Sequence, residues 1–174
     1  MRQVVLVLVV AALLLTIVAC NSGAPPPPPP GSGPRPAIQR TPTPVPANDE
    51  EALRQLIVAE GEAVVQQDID RLQAMWATDG VVTDANRTPD NPGDDKTWKN
   101  WSAIRDRYVN IVFPSNPAFA EHPNIRVTLS GDSATAIADT KIGITNVKDN
   151  DKWTFRKMDG QWKITSLTFG LAPR

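Results

Sequence analysis

The stretch "KWTFRKMDGQWKITSLTFG", residues 152–170, decides the fold. Trp153 and Phe155 alternate with polar neighbours on one arm, and Trp162 and Ile164 mark the other. Between them, Asp159 and Gly160 form a pair that tolerates positive φ at both central positions of a type I′ turn, the turn whose twist matches that of two antiparallel strands. A hairpin with this much aromatic surface on one face needs other elements to bury it.

Working outward, the period of two persists toward the N-terminus. "KDND" (148–151) reads as a turn, and Ala134, Ala136, Ala138, Ile142 and Ile144 share one face of a long strand. "SGD" (130–132) reads as the preceding turn, and Ile125, Val127 and Leu129 alternate with Arg126, Thr128 and Ser130 in the strand before it. Upstream of Pro114 and Pro117 the period becomes helical, since Trp101, Ile104, Tyr108 and Ile111 fall on one face of a third helix. A polar loop, "ANRTPDNPGDDKTWKN" (85–100), separates it from a strand at "VVTD" (81–84).

"DIDRLQAMW" (68–76) predicts a second helix, capped by Asp68 or Asp70, with Leu72, Met75 and Trp76 on one side and Asp79 and Gly80 ending it. The first helix starts at Asn48 or Asp49, carries Glu50 and Glu51 against its positive end, and buries Leu53, Leu56, Ile57, Ala63 and Val64. Helices first and an antiparallel meander after them make an α+β domain over residues 48–174, with the helices packed on one side of the sheet.

The region before residue 48 has a different character. Arg2 precedes an apolar run from Val4 to Ala19, which reads as a secretion signal (1–19) and is short for a membrane span. Ile17, Val18, Ala19 and Cys20 resemble the bacterial lipobox, which implies lipidation of Cys20, the only cysteine in the 174 residues. Two acyl chains hold a protein on a bilayer where one does not. Residues 20–47 are rich in proline, glycine, serine and threonine, including six consecutive prolines, and cannot build a core. They are expected to form a disordered spacer reaching ~80 Å at most, at ~3.1 Å per residue. The expected location is therefore the extracytoplasmic side of a bacterial envelope.

With 18 basic and 19 acidic side chains and no basic patch, nucleic acid is not an expected partner. His122, the sole histidine, gives no second imidazole for a metal site or triad. The loop at 84–95 has Pro89 where a calcium loop needs glycine and Asp95 where it needs glutamate, so no metal or cofactor is expected.

Three segments, "QQDIDRLQAMWATDGVVTD" (66–84), "SAIRDRYV" (102–109) and "WTFRKMDGQWKIT" (153–165), occur in an order that resembles the nuclear transport factor 2-like superfamily, in its SnoaL-like and ketosteroid-isomerase-like branch. The resemblance implies a cystatin-like cone: a strongly curved antiparallel sheet wrapped around N-terminal helices, with a cavity at the wide end and dimers formed through the convex sheet. It places Asp84 where isomerase-like members keep a general base at the end of the first strand. The oxyanion donors of those enzymes fall here near Ala59 or Glu60 and near Trp153 or Thr154, so the tyrosine and acid they use are missing. Tyr108, on the third helix, supplies a donor only if it faces the cavity.

Of the five tryptophans, Trp76, Trp153 and Trp162 match the buried periodicity. Trp76, Trp101, Tyr108, Trp153 and Phe155 are the candidate residues around an apolar small molecule. The expected function is a membrane-tethered, non-catalytic module binding a small molecule or partner. The alternatives are an isomerase, cyclase or dehydratase using Asp84, and a homodimerisation domain pairing through the face that bears Thr135, Ile137 and Thr145.

Overall fold

The computed structural model describes residues 45–142 and 145–172. The signal segment, Cys20 and most of the proline-rich tract lie outside the described residues, as does Ile144.

Helix α1 (Asp49–Gln66) begins where the Asn48 side chain accepts the Glu51 N–H at 2.9 Å. It turns Leu53, Ile57, Ala63 and Val64 inward. Burying each large apolar side chain contributes about 1.5–3 kcal/mol. Helix α2 (Ile69–Met75) is capped by Asp68, which accepts the Arg71 N–H, and buries Leu72 and Met75. Strand β1 (Trp76–Asp84) follows directly. The α2 helix thus ends at Met75, and Asp79 and Gly80 lie inside β1 rather than closing the helix. The strand accommodates them by a register shift between Trp76 and Val81. A Cβ on Gly80 would stand 2.8 Å from Trp76 Cε3, so only glycine permits this approach. Asp79 faces outward and pairs with Arg156 at 3.1 Å.

The polar loop contains a short strand, β2 (Lys96–Lys99), which pairs antiparallel with β1. Four residues with only Trp98 half-buried leave little alternation to read. Helix α3 (Asn100–Arg107) buries Ile104 and continues into a π-helical turn, Tyr108–Val112, and a 3-10 turn, Phe113–Ser115. The wider turn shifts the helical phase: Tyr108 is buried, whereas Ile111 faces solvent instead of joining the apolar stripe.

The remaining strands are β3 (Ala120–Glu121), β4 (Arg126–Ser130), β5 (Ser133–Ile142), β6 (Thr145–Met158) and β7 (Gln161–Phe169). Among the described residues the sheet has seven strands in the order β2-β1-β7-β6-β5-β3, with β4 also paired to β5. Its pairings are antiparallel except that of β1 with β7, which is parallel. Asp159 and Gly160 both have positive φ, 52° and 77°, as the type I′ reading requires, and Gly131 has φ 56° in the β4–β5 turn. Leu129, beside that turn, is exposed, while Val127 and Ile125 pack against the core.

"KDND" is not a turn; residues 148–151 lie within β6. Asp149 adopts φ 48°, and its N–H reaches the Asp139 carboxylate at 3.0 Å. The register passes from Ala138↔Asp151 to Thr140↔Val147, so residues 148–150 bulge opposite Asp139 alone. Bulges bend strands and increase local twist. This one, with those in β1 and between β6 and β7, curves the sheet around the helices. Its inner face carries Ala134, Ala136, Ala138, Trp153, Phe155, Trp162 and Ile164, all buried with Leu53 and Ile57 of α1. Gly61 brings α1 against β3, since a Cβ there would fall 2.3 Å from the Ala120 carbonyl oxygen.

Candidate functional site

A cavity of about 140 Å³ lies between the helices and the inner face of the sheet. Val64, Val112, Ala120, Leu167 and Phe169 make its apolar walls. The polar wall comes from Glu60 on α1, Arg107 and Tyr108 where α3 meets the π turn, His122 before β4, Thr140 on β5, and Asn150 and Asp151 at the β6 bulge.

Glu60 is on the buried stripe of α1, one turn after Ile57 and one before Val64. Its Oε1 accepts the Tyr108 hydroxyl at 2.6 Å. His122 stands between two carboxylates, with Nε2 3.8 Å from Glu60 Oε2 and Nδ1 3.1 Å from Asp151 Oδ2. The Nδ1 contact has hydrogen-bond distance but not hydrogen-bond direction, so its attraction is mainly electrostatic. Trp153 meets the imidazole edge-on at 5.3 Å and closes the site from behind. Asn150 donates to Thr140 Oγ1 at 2.9 Å and to Asp151 Oδ1 at 3.1 Å, fixing the second carboxylate.

These groups titrate unusually. Burial pushes the Glu60 carboxyl up, and the opposing pull of His122 and the Tyr108 hydroxyl does not restore it. Burial alone would lower His122; the Asp151 and Glu60 carboxylates outweigh that loss and raise it. Burial and the neighbouring Glu60 raise Tyr108 well above its ordinary value, so its hydroxyl remains a donor. Burial lowers Arg107, partly offset by nearby negative charge. The cluster can hold and exchange a proton inside a small apolar space, with the Glu60 carboxyl and the His122 imidazole acting on each other.

Of the residues singled out from sequence, Tyr108 faces this cavity. Asp84 ends β1, where its Oδ1 accepts the Asn86 N–H at 2.9 Å, and it is not among the lining residues. Trp76, Trp153 and Phe155 are buried in the core, and Trp101 packs against its edge; none of the four lines the cavity. Their strand and helix positions place them in the packed core or at its edge. Glu60, Arg107, His122 and Asp151 form the site instead. Two carried a legible signal: Glu60 is a charge in the apolar phase of α1, and Asp151 shares the inward parity of Trp153 and Phe155.

Comparison with known structures finds the same architecture repeatedly. An NTF2-like protein with a cystatin-like fold from Novosphingobium aromaticivorans is 21% identical, with a TM-score of 0.55 over 69% of this chain and 79% of that one. An NTF2-like protein of unknown function from Pseudomonas putida is 23% identical, with a TM-score of 0.56 over 69% and 84%. The hexachlorocyclohexane dehydrochlorinase LinA-type3 from Novosphingobium barchaimii is 22% identical, with a TM-score of 0.52 over 68% and 83%. At these identities the likeness establishes the fold alone. No curated protein matches the chain. The curved sheet, the helices inside it and the cavity between them agree with a family match that spans residues 46–168, and the chain belongs to the family of SnoaL-like domains.

Proposed function

We propose that this SnoaL-like domain binds one small, largely apolar molecule through a single polar group, and that the lipidated Cys20 and the proline-rich spacer hold it on the outer face of a bacterial membrane. The observation that carries the reading is the cavity itself: about 140 Å³, with aliphatic and aromatic walls and one polar side built from buried residues. An apolar cavity of about 150 Å³ accommodates benzene, so the fitting ligand has roughly one ring or an equivalent branched chain. The test is calorimetric titration of the full chain in detergent with one-ring compounds, alongside Ala120→Leu, whose longer side chain projects into the cavity. Saturable binding that Ala120→Leu removes, with its melting transition retained, supports the reading; binding unchanged in that variant overturns it. Growth with labelled palmitate tests the anchor, with label expected on the wild-type chain and absent from Cys20→Ala.

A second reading, proton transfer to or from the bound molecule, is favoured by one observation. Glu60 combines a raised pKa, a 2.6 Å bond from Tyr108 and a place on the cavity wall. In that case Glu60, rather than Asp84, carries the proton, and a neighbour of the same fold is named a dehydrochlorinase. Solvent deuterium appearing in a recovered ligand, and failing to appear with Glu60→Gln, is the expected signature. Retention of that exchange in Glu60→Gln overturns it.

A further inference from the structure

Two cationic side chains line the cavity among the described residues, His122 and Arg107. His122 is enclosed by Glu60 and Asp151, but Arg107 has no carboxylate within ion-pair distance among the described residues. Its Nε is shut off from solvent and has no hydrogen-bond partner. Three rings hold the guanidinium in place instead: Phe169 at 4.7 Å, Trp98 at 5.1 Å and Tyr108 at 5.9 Å. Aromatic faces orient a guanidinium plane without neutralising its charge. Glu60, Asp84 and Asp151 act on it only from a distance.

Each acceptor side chain on the same wall already has a partner. Glu60 takes the Tyr108 hydroxyl, Asp151 takes Asn150 and faces His122, and Thr140 Oγ1 takes the Asn150 amide. A spare donor therefore remains on Arg107 Nε, buried and belonging to a lining residue, whereas His122 Nδ1 faces Asp151. A buried donor without a partner is costly, and a ligand that supplies acceptor oxygens relieves that cost.

Resting on the small-molecule reading above, we infer that the polar group of the ligand is a carboxylate that accepts from Arg107 beside His122, and that its compact apolar body lies against Val64, Val112 and Leu167. Arg107 presents the planar fork that matches two carboxylate oxygens. The ligand class is thus a small monocarboxylic acid with one ring or a branched chain.

Benzoate, benzamide and benzylamine share a ring and differ in the charge of the attached group, so the three together form the test. The full chain in detergent is titrated with each by calorimetry, with detergent alone as the blank. Benzoate is expected to bind roughly tenfold or more tighter than benzamide, the difference of one charge-assisted hydrogen bond, and benzylamine weakest. Arg107→Met, which keeps an unbranched apolar stem among the rings without the charge, is expected to erase the benzoate preference while benzamide still binds; Arg107→Lys is expected to restore part of it. Equal binding of benzoate and benzamide, a preference for benzylamine, or an Arg107→Met chain that still favours benzoate overturns the carboxylate assignment and leaves the cavity reading standing. Failure of all three probes to bind at millimolar concentration overturns the cavity reading and the assignment with it.

Discussion

His122 shows how much a single side chain depends on its neighbours. Its two carboxylate partners have side chains only 5% and 3% exposed, so neither is well solvated if the imidazole is removed. Breaking a buried ion pair by deleting one member costs about 3–5 kcal/mol, because a charge is left without compensation. His122→Ala should therefore lower unfolding stability by about that amount in urea titrations. Adding Glu60→Gln to it should recover part of the loss, since one of the two stranded charges is then gone. Nothing in the sequence around His122 marks this role: a lone histidine before Pro123 shows no periodicity, and its partners lie 62 and 29 positions away. Tyr108 was legible as a donor and Glu60 was visible only as a position, because the sequence shows that a charge lies in an apolar phase but not what neutralises it.

At the scale of elements, the sequence disclosed regular segments and concealed their irregularities. The type I′ hairpin, the capped first two helices and the alternating alanines of β5 all follow from local chemistry, and each stands where that chemistry places it. The β6 bulge does not, because "KDND" has the composition of a turn and becomes strand only through a distant partner. Asp139 supplies it, accepting the Asp149 N–H at 3.0 Å and the Asn124 side-chain amide at 2.8 Å. Asp139→Ala should remove both bonds and release the bulge, read as a reduced urea midpoint. Gly80 makes a similar point in β1. Gly80→Ala should cost about 1–3 kcal/mol through overpacking against Trp76 Cε3, and a thermal melt reads the loss. The π turn at Tyr108–Val112 belongs with these: helical spacing predicts that Ile111 is inside, and one extra residue in the turn sends it out.

For the whole molecule, the titrating groups define a range of pH over which the fold is most stable. Asp49, Asp79 and Asp139 have lowered pKa values, through Lys157 and Trp162, through Arg156, and through the Asp149 N–H and Asn124 respectively. Their contribution is present above the ordinary aspartate value and is lost as pH falls through the lower folded values. His122 works in the opposite sense: its folded pKa lies above about 6.5, so its contribution is complete below that pH and disappears as pH rises through the folded value. Glu60, also raised, adds to the same alkaline decline from about 4.5 upward. The melting temperature should therefore peak in mildly acidic solution and fall on both sides. A scan from about pH 3 to about pH 9 checks it, with a shallower alkaline limb expected for Glu60→Gln.

The position of β7 carries a consequence for how the sheet is assembled. This strand, Gln161–Phe169, is the last of the seven in sequence, yet it lies in the interior of the sheet and joins β1 to β6. Until it emerges from the ribosome, the two halves of the molecule have no backbone ladder between them. The sheet therefore closes only when β7 docks between β1 and β6, so the ordering of this one strand joins all the others into a single surface.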